Sequence, residues 1–235
     1  MMSPAPSERH AALPRGPLLL AAVLALATAV AGGPPAEARP KSTLKITYYT
    51  ISGSNEHSLD QQMARLGPSH RGGKAYATLS VDPTFSGRLT AGKYCVLRKF
   101  AVNAKFVMTL PRLAAGTHLS GATRARWRSF AAFVRRHEER HRAIWLGCLA
   151  RGEARALKLR LGSCRQLDAA VDKVFKEEWV RCEPLHDAFD AAAQVQLKKH
   201  PLIVAASSSK GKAALTGGAS PQAPAIRFSG GRAAQ

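Results

Sequence analysis

From Thr117 or Ser120 to about Lys199 the chain reads as helix, and one break, Gly162-Ser163, divides that run in two. Two long helices joined by so tight a break fold back on each other as an antiparallel hairpin. The first helix carries an apolar stripe of Phe130, Phe133, Val134, Ile144 and Cys148, with His137 and His141 inside it. Its other face, with Arg124, Arg128, Arg135 and Arg142, reads as solvated. The second helix, from about Cys164 with Ser163 as cap, turns Leu167, Val171, Phe175, Trp179, Cys182, His186 and Phe189 inward. Pro184 is expected to kink or split it.

Within the first helix His137-Glu138-Glu139-Arg140-His141 has the form H-E-x-x-H. Residues four apart on a helix share a face, so the two imidazoles can hold one Zn²⁺ from the same side. Glu138, rotated by roughly 100°, lies where it can act on a water beside the metal. This is the minimal apparatus of a zinc hydrolase. No third histidine follows two turns on. Glu153, twelve residues past His141, is ~18 Å away along a straight helix. The third ligand must therefore come from another element.

The hairpin supplies it. A turn centred near residue 164 or 165 sets Cys148 beside Cys182 and places His137 and His141 level with about residues 189–193. That register predicts a Cys148–Cys182 disulfide and leaves Cys95 with Cys164. It also brings His186 and Asp190 to the metal. These two are themselves four apart, so one can ligate while the other orients a ligand histidine. Asp187 is a weaker third choice.

Disulfides require an oxidising compartment, and the N-terminus fits that. Pro17 to Ala31 is uncharged and rich in Leu, Ala and Val, and Ala29-Val30-Ala31 and Ala36-Glu37-Ala38 are small-x-small sites. Residues 1–38 thus read as a secretory signal peptide cleaved after Ala31 or Ala38, giving a periplasmic or secreted protein. The apolar run, about 15 residues, is shorter than the ~20 of a spanning helix. The formal charge of +20 suits anionic envelope polymers or lipids as partners. No nucleic-acid-binding module accompanies it, so specific nucleic-acid binding is not expected. A monomer is the simplest assembly.

Ahead of the helices, Lys45–Gly53 and Lys74–Val81 read as strands, and Leu59–Leu66 as a short helix capped at Ser58 and stopped by Gly67-Pro68. Lys93–Val102 and Lys105–Leu110 read as a hairpin turning at Asn103-Ala104 and ended by Pro111. Lys105–Leu110 would then be free to hold a peptide by edge pairing. The expected fold is α+β, a small antiparallel β-sheet packed against the long α-helical hairpin. The domain would span 42–200, with 205–235 a disordered basic tail.

Leu110-Pro111, Trp127-x-x-Phe130, His137-Glu138-x-x-His141, Cys164 and Phe189-Asp190 together resemble a bacterial family of predicted secreted zinc-dependent proteases, itself a domain of unknown function. The likeness covers roughly residues 44–195. It implies a peptidase and favours Asp190, which stands at the family's Tyr-Asp pair. The chain departs where the family often has a Thr and then His-Gly; Ala193 and Val195 stand there. The expected function is a zinc-dependent metallopeptidase of the envelope, its substrate a peptide or protein, with Glu138 passing a proton from water to the leaving amine. Tyr94 and His118 are candidates for stabilising the oxyanion. A second reading is a non-catalytic cationic envelope-binding protein whose metal site is structural or degenerate.

Overall fold

In the computed structural model the described residues are 40–70 and 72–214. The expected signal peptide, 1–38, and residues 215–235 of the expected tail lie outside them. In chain order the elements are β1 (Lys41–Ile51), α1 (Glu56–Leu66), β2 (Ser69–His70), β3 (Gly73–Lys74), β4 (Thr78–Thr90), β5 (Cys95–Leu113), α2 (Gly121–Ala156), β6 (Arg160–Leu161), α3 (Cys164–Lys198) and α4 (Pro201–Ala214). The fold is α+β: a small four-stranded sheet, in which β6 pairs with the start of β5, has the long helices packed against it, and β2 and β3 form a separate two-stranded pair.

The sheet runs β1-β5-β4. It is mixed rather than antiparallel, because β1 pairs parallel to β5 while β4 pairs antiparallel to it. β5 is a single strand. The turn expected at Asn103-Ala104 does not form, since both residues are paired on both sides, to Lys41 and Ser42 of β1 and to Thr84 and Pro83 of β4. The chain reverses earlier, between Thr90 and Cys95. Pro111 does not end the strand; β4 stops pairing at Thr109, so Pro111 sits where that side of the ladder is already vacant. With β5 in the middle, Lys105–Leu110 has no free edge for a peptide. The edges belong to β1 and β4.

From Val102 to Leu110 burial alternates. Val102, Ala104, Phe106, Met108 and Leu110 are buried, and Lys105 and Val107 are exposed. One face of the sheet is therefore dry and the other wet. The dry face meets Phe130, Val134, Trp145 and Leu149 of α2 in one continuous core.

Ser120 caps α2, its Oγ accepting from the Thr123 amide at 3.2 Å, and Ser163 caps α3 by the same bond to Gln166 at 3.2 Å. α3 runs through Pro184 as one helix. α1 starts earlier than expected because Asn55, not Ser58, is its cap, with Ser58 completing a reciprocal capping box. The two disulfides are Cys148–Cys182 and Cys95–Cys164. Arg142 is not on a solvated face; it donates to Ser42 Oγ at 2.6 Å and lies over the Phe106 ring.

The expected disordered tail begins too early. Residues 201–214 form α4, started by Pro201 at the first helical position. His200 Nδ1 accepts from the Leu202 amide at 3.2 Å, and Leu202, Ile203 and Ala206 are buried, with α4 packed on α1. The domain therefore extends past 200.

Candidate metal centre

α2 and α3 pack antiparallel, and the contacts between them share one register. Cys148 bonds Cys182, Arg151 pairs with Glu178, and His141 meets both His186 and Asp190. This register places the inward stripe of α2 opposite residues 186–190 of α3.

Three ligand-capable atoms converge there. His141 Nε2 lies 2.9 Å from His137 Nε2 and 2.8 Å from Asp190 Oδ1, and His137 Nε2 lies 3.2 Å from the same oxygen. Neighbouring ligands of a tetrahedral zinc stand roughly 3.3 Å apart when its bonds are about 2.0–2.1 Å. The triangle is a little tighter than that, so it would open slightly around a cation. Two imidazole nitrogens and a carboxylate oxygen are also a zinc-type donor set.

Glu138 gives the second indication. Its side chain is fully buried, and neither carboxylate oxygen has a hydrogen-bond partner among the described residues. A buried polar group without a partner is costly. Burial, and then the charge of Asp190, push its carboxyl well above the usual carboxylate range. A cation at the cluster would offset the second of these causes. Burial likewise depresses the His137 imidazole, against the pull of Asp190. Burial also raises Asp190, but hydrogen bonds from His137 and His141 outweigh it and hold the carboxyl at about 2.

Of the candidate third ligands, Asp190 joins the cluster and His186 does not. His186 Nδ1 lies 2.7 Å from Nδ1 of His141, the nitrogen on the far side of that ring. Binding a metal would require the proton of His141 on Nδ1, where His186 can accept it, so that His141 Nε2 presents a lone pair to the ion instead of donating to Asp190. His186 is thus an orienting residue, stacked in turn against Trp145 with centroids 4.6 Å apart. Asp187 is exposed and outside the cluster. The Phe189 ring lies along His137, with centroids 4.8 Å apart, and edge-on to His141 at 5.1 Å, so it fixes both imidazole planes. Glu153 accepts from the Val102 amide, away from the cluster.

Residues 46–197 match the family model described as "Bacterial protein of unknown function (DUF922)". The chain belongs to that family. No curated protein and no solved structure matches it. The DUF922 match runs from the middle of β1 through nearly all of α3, and so takes in every member of the cluster; α4 lies beyond it.

The two oxyanion candidates do not reach the site. Tyr94 is half-exposed in the β4–β5 turn, beside Cys95, whose bond to Cys164 ties that turn to the start of α3. Asp190 lies 26 residues further along α3, ~39 Å at 1.5 Å per residue. His118 precedes Ser120, the cap of α2, some 25 Å from His137 by the same rise.

The residues missed from sequence are Arg136 and Arg140. With Phe133 and His137 they form one stripe of α2, which faces Phe189, Ala192, Ala193 and Gln196 of α3 across an open groove of about 260 Å³. The signal was present, since 133, 136, 137 and 140 have the i, i+3, i+4, i+7 spacing of a single helix face.

Proposed function

We propose that this DUF922 protein is an exported zinc-dependent metallopeptidase of the bacterial envelope, with His137, His141 and Asp190 holding the metal and Glu138 as the general base. The observation that carries the reading is the pairing of a convergent two-imidazole, one-carboxylate triangle with a fully buried glutamate, next to it in sequence, that has no hydrogen-bond partner among the described residues. A purely structural triangle would not call for that glutamate.

Zinc, when bound, supplies a Lewis acid that polarises the scissile carbonyl and acidifies water. Glu138 takes the proton of the attacking water and delivers it to the leaving amine. His186 keeps His141 in the ligating tautomer, and Phe189 packs both rings in place. His137 lines the groove between α2 and α3, which is the route by which a peptide would reach the cluster.

The test is zinc content and peptide hydrolysis measured together on mature protein. The wild type should bind about one zinc per chain and cleave an unstructured protein substrate. His141→Ala should lose the zinc. Glu138→Gln should keep it and lose hydrolysis. Turnover retained in Glu138→Gln would remove that residue from the mechanism, and a wild type that takes up no zinc would end the metal reading.

A further inference from the structure

We propose that the groove beside His137 selects acidic peptides, with Arg136 and Arg140 recognising carboxylates on alternate residues of the bound chain. Cleavage of such peptides rests on the peptidase reading; their recognition does not.

The groove is the seam between two helix stripes. Its walls are Phe133, Phe189, Ala192 and Ala193, apolar and small enough to admit a chain. Gln196 is neutral, and among the described residues no carboxylate lines the groove. The charged groups in it are Arg136 and Arg140, both exposed. Several arginines of these helices are paired: Arg126 with Glu56, Arg135 with Glu139, and Arg151, Arg155 and Arg181 with Glu178. Among the described residues Arg136 and Arg140 take part in no ion pair. Asp190 forms no ion pair with either of them; its Oδ1 lies against the two histidines.

Two guanidinium groups one helical turn apart project from points about 6 Å apart. Side chains of an extended peptide that share a face are two residues apart, or roughly 6.7 Å. The spacings agree. Each guanidinium can meet a carboxylate bidentately, so the favoured ligand has acidic residues at alternate positions, while adjacent ones would point to opposite sides.

The experiment uses full mature Glu138→Gln protein, which leaves a peptide uncut, loaded with zinc. Fluorescence anisotropy is measured with three dye-labelled alanine octapeptides. One carries two glutamates at alternate positions, one carries them side by side, and one has glutamines instead. The alternate-glutamate peptide should bind on the order of tenfold tighter than the glutamine peptide, and tighter than the adjacent-glutamate one. Adding Arg136→Gln and Arg140→Gln should abolish the difference. Adding Arg124→Gln and Arg128→Gln, which removes the same charge from the same helix outside the groove, should preserve it. Equal binding of all three peptides, or equal loss in both double variants, would overturn the proposal and assign the attraction to the general positive field. Wild-type protein that binds the acidic peptide as expected but cleaves nothing would defeat the peptidase reading and leave this one standing. Cleavage that is indifferent to acidic residues and to Arg136→Gln/Arg140→Gln would do the reverse.

Discussion

Asp190→Asn tests the cluster most sharply, because it keeps the shape of the side chain and removes its charge. Asp190 Oδ1 lies 2.8 Å from His141 Nε2 and 3.2 Å from His137 Nε2. Against the burial that raises it, these bonds lower the carboxyl from an ordinary 3.8 to about 2. A shift of that size is worth on the order of 2 kcal/mol of native stability. The folded value is depressed, so this contribution is present above about pH 4 and is lost as pH falls towards 2. At pH 7 without metal, the variant should therefore melt roughly 4–8 °C lower than wild type. Zinc should separate the two further. At about 100 times its dissociation constant, zinc stabilises the wild type by about 2.7 kcal/mol, or roughly 5–11 °C. If loss of the ligand weakens zinc about 100-fold, the gain at the same concentration falls to about 0.4 kcal/mol, roughly 1 °C. Thermal melts of chelator-treated protein, with and without zinc, give both numbers. Asp187→Asn serves as the control and should behave as wild type. An Asp190→Asn protein that keeps the full zinc-induced rise would refute Asp190 as a ligand.

Replacing Cys148 and Cys182 together with serine opens a loop of 34 residues and should cost about 3–4 kcal/mol; an unchanged melting temperature under oxidising conditions would contradict this. At Gly152 an added Cβ would stand 2.6 Å from the Phe175 ring, which itself packs against Phe85 and Phe100. Gly152→Ala should therefore lose about 1–3 kcal/mol in urea denaturation, and a wild-type midpoint would mean that the ring moves aside freely. Burial lowers the His200 imidazole below its ordinary value, and its Nδ1 must stay unprotonated to cap α4. Stability should thus be full above about pH 6.5 and decline as pH falls below it; His200→Asn, which keeps an acceptor at the cap, should flatten that decline in melts from pH 7.5 to 5.5, and an unaltered slope would clear His200 of the effect.

The helices were legible because their signals are local and strong. Ser120 and Ser163 are caps, Gly162-Ser163 is the break, and the 3.6-residue stripe put His137, His141, Cys148 and Cys182 on facing sides. One register then paired Cys148 with Cys182, left Cys95 to Cys164, and brought both His186 and Asp190 to the histidines. The sheet was less legible because β-pairing is set at long range. Asn103-Ala104 is a fair local turn signal, yet each residue has partners on two strands, and those partners lie about 60 and 20 positions away in the chain. The parallel pairing of β1 is invisible to any local pattern. α4 was hidden by composition, since Ser207-Ser208-Ser209 reads as tail, whereas Pro201, Leu202 and Ile203 decide the helix. Helical spacing alone did not separate Asp190 from His186, each one turn from the other, although the family resemblance favoured Asp190. The side of His141 that each one faces tells them apart.

That distinction bears on what holds the site together. His137, Glu138, His141 and His186 are all buried, and each loses hydration on folding. In the metal-free chain Glu138 regains no hydrogen bond from the described residues, so burying it opposes folding. The opposing stability comes from its surroundings. Phe130, Val134 and Trp145, on the same helix as the histidines, are packed into the sheet core. The Cys148–Cys182 bond clamps α2 to α3 seven residues beyond His141 and four before His186. The ligands on the two helices are therefore held in register whether or not metal is present, and the ion would have little ordering to do on arrival. On this argument zinc adds to the stability of a domain that is already folded, unlike the small zinc domains that fold only around their metal. Circular dichroism of the chelator-treated protein should accordingly keep its helical signal and a cooperative melt; collapse of both would mean that the scaffold does not outweigh the cost of the site.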